Sequence, residues 1–285
     1  MKIISLGWGV QSFTLAAMSA LGELPKVDYA IHADTTHESQ LTYEFAQKWT
    51  PWLEERMVRV ITVNPDPTKL NAFDNYKGVF IPAYTHIPEH YEISDGYYID
   101  SSGEETINVF DPSLVGQKIK KPASDGQLNR QCTGDWKIAP IRRWLQEHRN
   151  GESIEQWIGI SLDEFQRMKP SDVKYITTIW PLIDLKMTRK DCEKWLIDHN
   201  LEVPAKSACT FCPFHNTKEW RKIKANATDW KSAIDHDVAI RKIRPPFDLF
   251  VHPSRKPLED IDFRTAEEKG QLSLWDNECT GLCGV

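Results

Sequence analysis

The feature that most constrains this chain is the alternation in its first part. Lys2 to Leu6 is a short apolar run that ends in the turn Gly7-Trp8-Gly9-Val10-Gln11-Ser12. Phe13 to Leu21 then carries apolar residues at helical spacing, at Phe13, Ala16, Ala17, Ala20 and Leu21. Lys26 to His32 reads as a second strand, Glu38 to Glu55 as a helix, and Met57 to Val63 as a third strand. A strand that must lie parallel to its successor needs a crossover, and a helix supplies it. The expectation is therefore an α/β fold with a doubly wound parallel sheet and right-handed crossovers.

Beyond the third strand the pattern loosens. Residues 64–127 are rich in Pro, Tyr, Asp and Gly and read as an irregular insertion or lid. A structureless loop of that length is out of keeping with a compact domain, so short helices are expected inside it. Trp136 to Arg149 reads as a helix, and Glu155 to Gly159 as a strand that enters a loop over Ser161 to Arg167. Tyr175 to Trp180 is another short apolar segment. Thr188 to His199 is a helix with Thr188 as its N-cap and Asp191 in its first turn. Lys218 to Asn226 and Asp229 to Arg241 look like further helices. The expected division is residues 1–200 as a nucleotide-binding α/β domain and 201–285 as a helical region with a Cys-x-x-Cys motif and a cysteine-bearing tail.

Forty per cent hydrophobic and 27% charged residues suit a soluble globular chain with a sizeable core. A net charge of −6 argues against nucleic acid as an obligatory partner, since that would call for a basic chain. Local basic runs remain at Lys118, Lys120, Lys121 and Arg130, at Arg142 and Arg143, and at Arg241, Lys242 and Arg244. Such runs are more often solvated faces than phosphate contacts. No stretch approaches the roughly 20 apolar residues of a membrane span, and no signal peptide is visible, so a cytoplasmic protein is expected. Thiols stay reduced there, which points the six cysteines toward metal binding or catalysis.

The glycine turn lies between the first strand and the first helix, where open parallel sheets bind ligands. Gly7 and Gly9 let the backbone come close to a ligand, the amides of Val10 and Gln11 lie at the helix start, and Ser12 offers a hydroxyl. The spacing fits neither a Walker A loop nor a Rossmann fingerprint. Taken alone, a Gly-x-Gly turn is equally an ordinary strand–helix connection. Asp34 at the second strand's end suits a ribose hydroxyl or a metal, or simply caps a helix. Glu164 and Arg167 suit phosphate or sulfate, or form an i,i+3 surface pair.

Cys209-Thr210-Phe211-Cys212-Pro213-Phe214-His215 is the sharpest local motif. Two thiolates so spaced reach one metal atom or one cluster. Cys132 lies in the polar, basic stretch Asn129-Arg130-Gln131-Cys132-Thr133, unlike a core cysteine. Cys192 shares its helical register with Trp195 and Leu196 and reads as a small buried hydrophobe. Cys279 and Cys283 stand in the tail Glu278-Cys279-Thr280-Gly281-Leu282-Cys283.

These segments, in this order, resemble the PP-loop, or adenine nucleotide alpha-hydrolase, superfamily. The Gly7–Ser12 turn is similar to its S-G-G-x-D-S signature at Gly9 and Ser12 and departs from it at Gln11, where the signature has aspartate. Glutamine there is closer to the phosphoadenosine phosphosulfate reductase branch. Ala33-Asp34-Thr35-Thr36-His37-Glu38 with Thr42-Tyr43-Glu44-Phe45 resembles that branch's D-T-G-x-E-x-x-x-T-Y-x-F element. Gly159 to Arg167 resembles its G-x-R-x-x-E-S-x-x-R loop, and Trp180-Pro181-Leu182-Ile183-Asp184, then Thr188-Arg189-Lys190-Asp191, its late P-L segment.

The resemblance implies ATP or a related adenine nucleotide, with Mg²⁺, held by Gly7, Gly9, Val10, Gln11, Ser12, Asp34, Thr35, Glu38, Gly159, Glu164 and Arg167. It implies a [4Fe–4S] cluster on Cys132, Cys209 and Cys212, with His215 or a tail cysteine as a fourth ligand; Zn²⁺ is the alternative. The tail resembles the reductases' E-C-G-L-H motif, which makes Cys279 and Cys283 candidate catalytic thiols. Three functions follow. The first is adenylation by ATP and then thiolation of a nucleobase or nucleic acid, with a sulfur donor protein as partner. The second is thiol-dependent reduction of phosphoadenosine phosphosulfate or adenylyl sulfate. The third is a nucleotide-binding module without turnover, inside a nucleic-acid-modification or defence complex.

Overall fold

The computed structural model describes residues 1–65, 81–100, 107–265 and 268–269. Strands β1 (Lys2–Ser5), β2 (Tyr29–Ala33) and β3 (Arg59–Val63) alternate with helices α1 (Val10–Leu21) and α2 (Gln40–Glu55). Later come β10 (Ile154–Ile158) and β11 (Ile176–Ile179), and the five strands form one parallel sheet in the order β11-β10-β1-β2-β3.

The period of two along each strand sends alternate residues to opposite faces. Ile4 lies beside Ala30 and Trp157, and all three join a core with Phe13, Phe45 and Leu196. Ile3 points the other way, into a core with Ile31, Ile141, Leu145, Ile154 and Ile176. Ile141 and Leu145 come from helix α3 (Ala139–His148), so helices cover both faces and the sheet is doubly wound. On the first face Phe13 meets the ring of Phe45 edge-on at 4.9 Å and that of Trp49 at 5.4 Å. Burial of such an aromatic ring is worth about 1.5–3 kcal/mol.

Part of the insertion, residues 66–80 and 101–106, lies outside the described residues. Within the described residues the insertion is built from strands, with one 3-10 turn at Pro112–Leu114. These are β4 (Tyr84–Ile87), β5 (His90–Ile93), β6 (Tyr97–Asp100), β7 (Ile107–Phe110), β8 (Lys118–Lys121) and β9 (Ser124–Gln127). The stretch is rich in Tyr, Ile and Thr, which favour pleated backbone; Pro82, Pro88, Pro112 and Pro122 fall outside the strands, while Gly126 lies inside β9. β5 pairs with β8 and β6 with β7, both antiparallel.

The carboxyl-terminal part continues with α4 (Pro181–Asp184), α5 (Arg189–Asp198), α6 (Thr217–Ala225), α7 (Ala227–Ile240) and β12 (Asp248–Phe250). Thr188 and Asp191 form a reciprocal capping box at the start of α5. Cys192 is wholly buried in the first core, and burial pushes its thiol up to about 12. β12 pairs with β4, and β4 with β9, in a small antiparallel sheet. The insertion and the carboxyl-terminal helices thus share a core of Ile81, Trp136, Phe211, Trp220, Leu249 and Val251. Phe211 stands between Cys209 and Cys212, and Trp136 follows Cys132, so this core sets all three cysteines.

Candidate functional site

The winding of the sheet reverses at β1, which has β2 on one side and β10 on the other. Ligands of open α/β sheets bind beyond the strands' carboxyl ends at such a reversal. The turn after β1 stands there. Gly7 N donates to Ser12 Oγ at 3.1 Å, and that hydroxyl donates to Gly9 O at 3.3 Å, so the Ser12 side chain closes the turn. Trp8 adopts a left-handed backbone (φ 54°) and is buried against Phe13, His32 and Phe45. The helix begins at Val10, earlier than its apolar spacing suggests, with Gly9 as N-cap. No side chain caps it and no acid lies in its first turn, so the amides of Val10 and Gln11 meet no side-chain acceptor. Val10 is wholly buried and Gln11 is 8% exposed.

Gly159, after β10, closes in on this turn. A β-carbon there would stand 2.7 Å from Ser12 N and 3.0 Å from Gln11 C. The approach brings the next segment over α1. Gln11 Nε2 donates to Ser161 Oγ and to Glu164 Oε2, each at 3.3 Å, and Arg189 Nη1 donates to Gln11 Oε1 at 3.4 Å. Arg167 Nη1 donates to Glu164 Oε2 at 2.6 Å, the i,i+3 pair the spacing allowed, on a short 3-10 stretch, Leu162–Arg167.

The third strand end belongs to β2. Asp34 Oδ1 accepts from Thr36 N at 2.7 Å and Tyr43 Oη at 2.8 Å, so its carboxylate fixes its own loop. Burial, and then that carboxylate, raise the Tyr43 phenol well above its ordinary value. Glu38 is the hub. Its carboxylate is fully buried, and accepts from Lys137 Nζ at 3.1 Å, Thr35 Oγ1 at 3.4 Å and Ser207 Oγ at 3.2 Å. Its backbone bridges to Cys209, and Thr210 N donates to His37 O at 2.8 Å. Thr35 Oγ1 also lies 3.2 Å from Cys209 Sγ. Either atom can be the donor of that contact.

Burial, and next the Glu38 charge, push the Cys209 thiol up to about 12. Cys212 is raised by burial too, and the charge of Cys132 acts on it in the same direction. At Lys137 burial opposes the charge, but Glu38, Cys209 and Cys132 together outweigh it and raise the ammonium's pKa. The three cysteines are thus neighbours. Among the described residues, however, no group of three or more His, Cys, Asp or Glu side chains is disposed to hold a metal ion. His215 is engaged at both ring nitrogens, with Cys209 O at 2.8 Å and Glu219 Oε2 at 3.4 Å.

Lys137, Ser207 and Arg189 carry this geometry; no motif marks Lys137 or Ser207, and Arg189 stands in the Thr188–Asp191 part of the late P-L segment. Lys137 lies in a single π-helical stretch, Thr133–Ile138, that begins just after Cys132; such stretches often sit at functional sites. Cys279 and Cys283 lie outside the described residues. Much of the basic sequence is paired within the chain: Lys120 with Glu89, Lys121 with Glu92, Arg142 with Asp172, Arg241 with Asp237 and Lys242 with Asp248. A cavity of about 650 Å³ lies on the α7 side of the cysteine loop, lined by His37, Thr228, Ser232, Asp235 and His236 among others.

No protein-family model matches the chain, and no curated protein matches it. Among solved structures it is similar to phosphoadenylyl-sulfate (PAPS) reductase from Candida auris, in a phosphate complex. The TM-score is 0.42 and the identity 11%, over 71% of this chain and 74% of that one. A likeness of that size transfers no residue role. Among the described residues no helix is long and apolar enough to cross a membrane.

Proposed function

We propose that this protein is an adenine-nucleotide-dependent enzyme that handles sulfur, with the nucleotide phosphate on the Gly7–Ser12 turn and cysteine chemistry beside it. One observation carries the reading. A β-carbon on Gly9 would stand 4.0 Å from Ser207 Cβ, and Ser207 bonds Glu38, whose backbone pairs with Cys209. The phosphate turn and the cysteine loop therefore abut. The uncapped amides supply donors for an anion, and Gly159 keeps the crevice narrow.

The amide at Gln11 favours the thiol-dependent reading over adenylation and thiolation, because the turn carries no carboxylate for a metal-bound triphosphate. In that reading a thiolate, assigned by resemblance to Cys279 or Cys283, attacks the sulfur of an adenylyl sulfate-type substrate. The S–O bond breaks and the adenosine phosphate leaves with the electron pair. A second thiol then attacks the enzyme's sulfur, sulfite departs, and a disulfide remains for an external dithiol to reduce. Lys137 faces the cysteines with a side chain that is 39% exposed, which suits an anion arriving from solvent.

Three thiols at Cys132, Cys209 and Cys212 are donors of the kind that iron–sulfur clusters and Zn²⁺ take. As placed they do not close on one ion, so no step is routed through a metal. Anaerobic purification with visible absorption and metal analysis tests that donor set directly. The function is tested by sulfite release from phosphoadenosine phosphosulfate and adenylyl sulfate with a dithiol present. Cys279→Ser and Cys283→Ser together should abolish release, and unchanged release would remove the thiol mechanism. Pyrophosphate and AMP formed from ATP with a nucleic-acid acceptor would instead restore the thiolation reading.

A further inference from the structure

The PP-loop resemblance implies Mg²⁺ at the nucleotide phosphates, and the oxygens gathered around position 11 do not fit it. Mg²⁺ asks for free oxygen ligands in near-octahedral array, carboxylates first. The residue in the signature's carboxylate position is Gln11. Its carbonyl oxygen is taken by Arg189 Nη1 at 3.4 Å, and its amide nitrogen donates to Ser161 and Glu164. Glu164 Oε2 is taken a second time, by Arg167 at 2.6 Å. Asp163 Oδ1, the next carboxylate along, accepts from the backbone N of Arg189 at 3.0 Å. Each of these oxygens already faces a donor.

What the arrangement holds in place of a metal is a guanidinium. Arg189 opens α5, and its Nε donates to Glu193 Oε1 at 3.0 Å. Together with the Gln11 contact, this engages two of its five N–H donors in side-chain bonds among the described residues. The side chain is 37% exposed and reaches the Gln11 side chain in the first turn of α1. Glutamine suits position 11 for the same reason. An aspartate there would set a second negative charge against Glu164, whereas the amide satisfies Glu164 with its N–H and steadies Arg189 with its oxygen.

Resting on the nucleotide reading above, we infer that Arg189, held by Gln11, binds the nucleotide phosphate and does the work a divalent cation would otherwise do. It is a phosphate-binding residue, and nucleotide binding here is independent of metal.

The test is equilibrium titration of the full chain with ATP and, as a phosphate-free control, with adenosine, each with Mg²⁺ and with EDTA. The wild-type affinity for ATP should change by less than about threefold on chelation. Arg189→Met should weaken ATP roughly ten- to a hundred-fold, the range of a charge-assisted hydrogen bond. It should leave adenosine unchanged, and Arg189→Lys should restore part of the loss. Gln11→Asp should weaken ATP in EDTA, because the new carboxylate competes for Arg189. ATP binding abolished by EDTA overturns this inference and leaves the nucleotide reading standing. So does an Arg189→Met protein that binds ATP like wild type, or one that loses adenosine to the same degree. Wild type that binds neither ligand overturns both.

Discussion

Replacing Gly159 by alanine probes the closest approach in the candidate site. The added β-carbon would lie 2.7 Å from Ser12 N and 3.0 Å from both Gln11 C and Ser12 Cα. Ordinary contacts between such atoms lie at about 3.5 Å, so the turn must retreat by about 0.5–0.8 Å. All three obstacles are backbone, and no rotamer change relieves them. The α1 backbone has little room to yield, because Val10, Phe13 and Leu15 are wholly buried around it. Overpacking of this kind costs about 1–3 kcal/mol. For a chain of this size each kcal/mol lowers the melting temperature by about 2–4 °C. The same retreat moves the amides proposed to meet the phosphate, and a loss of about 1.4 kcal/mol there would weaken ATP tenfold. Thermal melting and ATP titration of Gly159→Ala measure the two effects. Gly134→Ala is the control, since a β-carbon at that position meets nothing within 4 Å. If Gly159→Ala melts with wild type and binds ATP equally well, the turn is not held by this contact, and the reasoning about the crevice fails.

Two further outcomes follow from buried charges. Glu38→Ala should destabilise the protein by about 2–3 kcal/mol in urea denaturation, less than the loss of a fully buried pair because the Lys137 side chain is partly exposed. Glu38→Gln should cost roughly 1 kcal/mol, since an amide oxygen still accepts from Lys137; equal stability of Glu38→Ala and wild type would refute the hub. Burial lowers His32, His37, His215, His236 and His252 below the ordinary value of 6.5, His236 the furthest. The unfolded chain then binds more protons than the folded one below that value, so stability is full above about pH 6.5 and falls as pH drops. Urea midpoints followed from about pH 7 to about pH 5 should decline, with a shallower decline in His236→Phe; a flat profile would contradict the burial of these rings.

Local pattern was enough to read the parallel sheet, the turn after β1 and the cap at Thr188. Each rests on neighbours in the chain: alternation of apolar residues, glycine before a helix, threonine three residues ahead of an aspartate. The same logic marked Cys192 as core. It failed in the insertion, where Pro and Gly obscured strands whose partners lie far off, such as β4 with β12. Boundaries slipped as well. Val10 to Ser12 belong to α1, because a helix starts where its first carbonyl finds a donor, a turn ahead of its apolar stripe.

The order of the elements, and hence the place of the Gly7–Ser12 turn, was decided by the sequence alone, because burying a helix between parallel strands leaves few ways to wind. Tertiary structure decided which charges meet. Gln11 finds Arg189 and Glu164, and Glu38 finds Lys137 and Ser207, across separations of 99 residues or more. No local period encodes such pairs. They follow from how loops at the ends of neighbouring strands close over the sheet, and they alone distinguish a carboxylate free to take a metal from one already held by a cation.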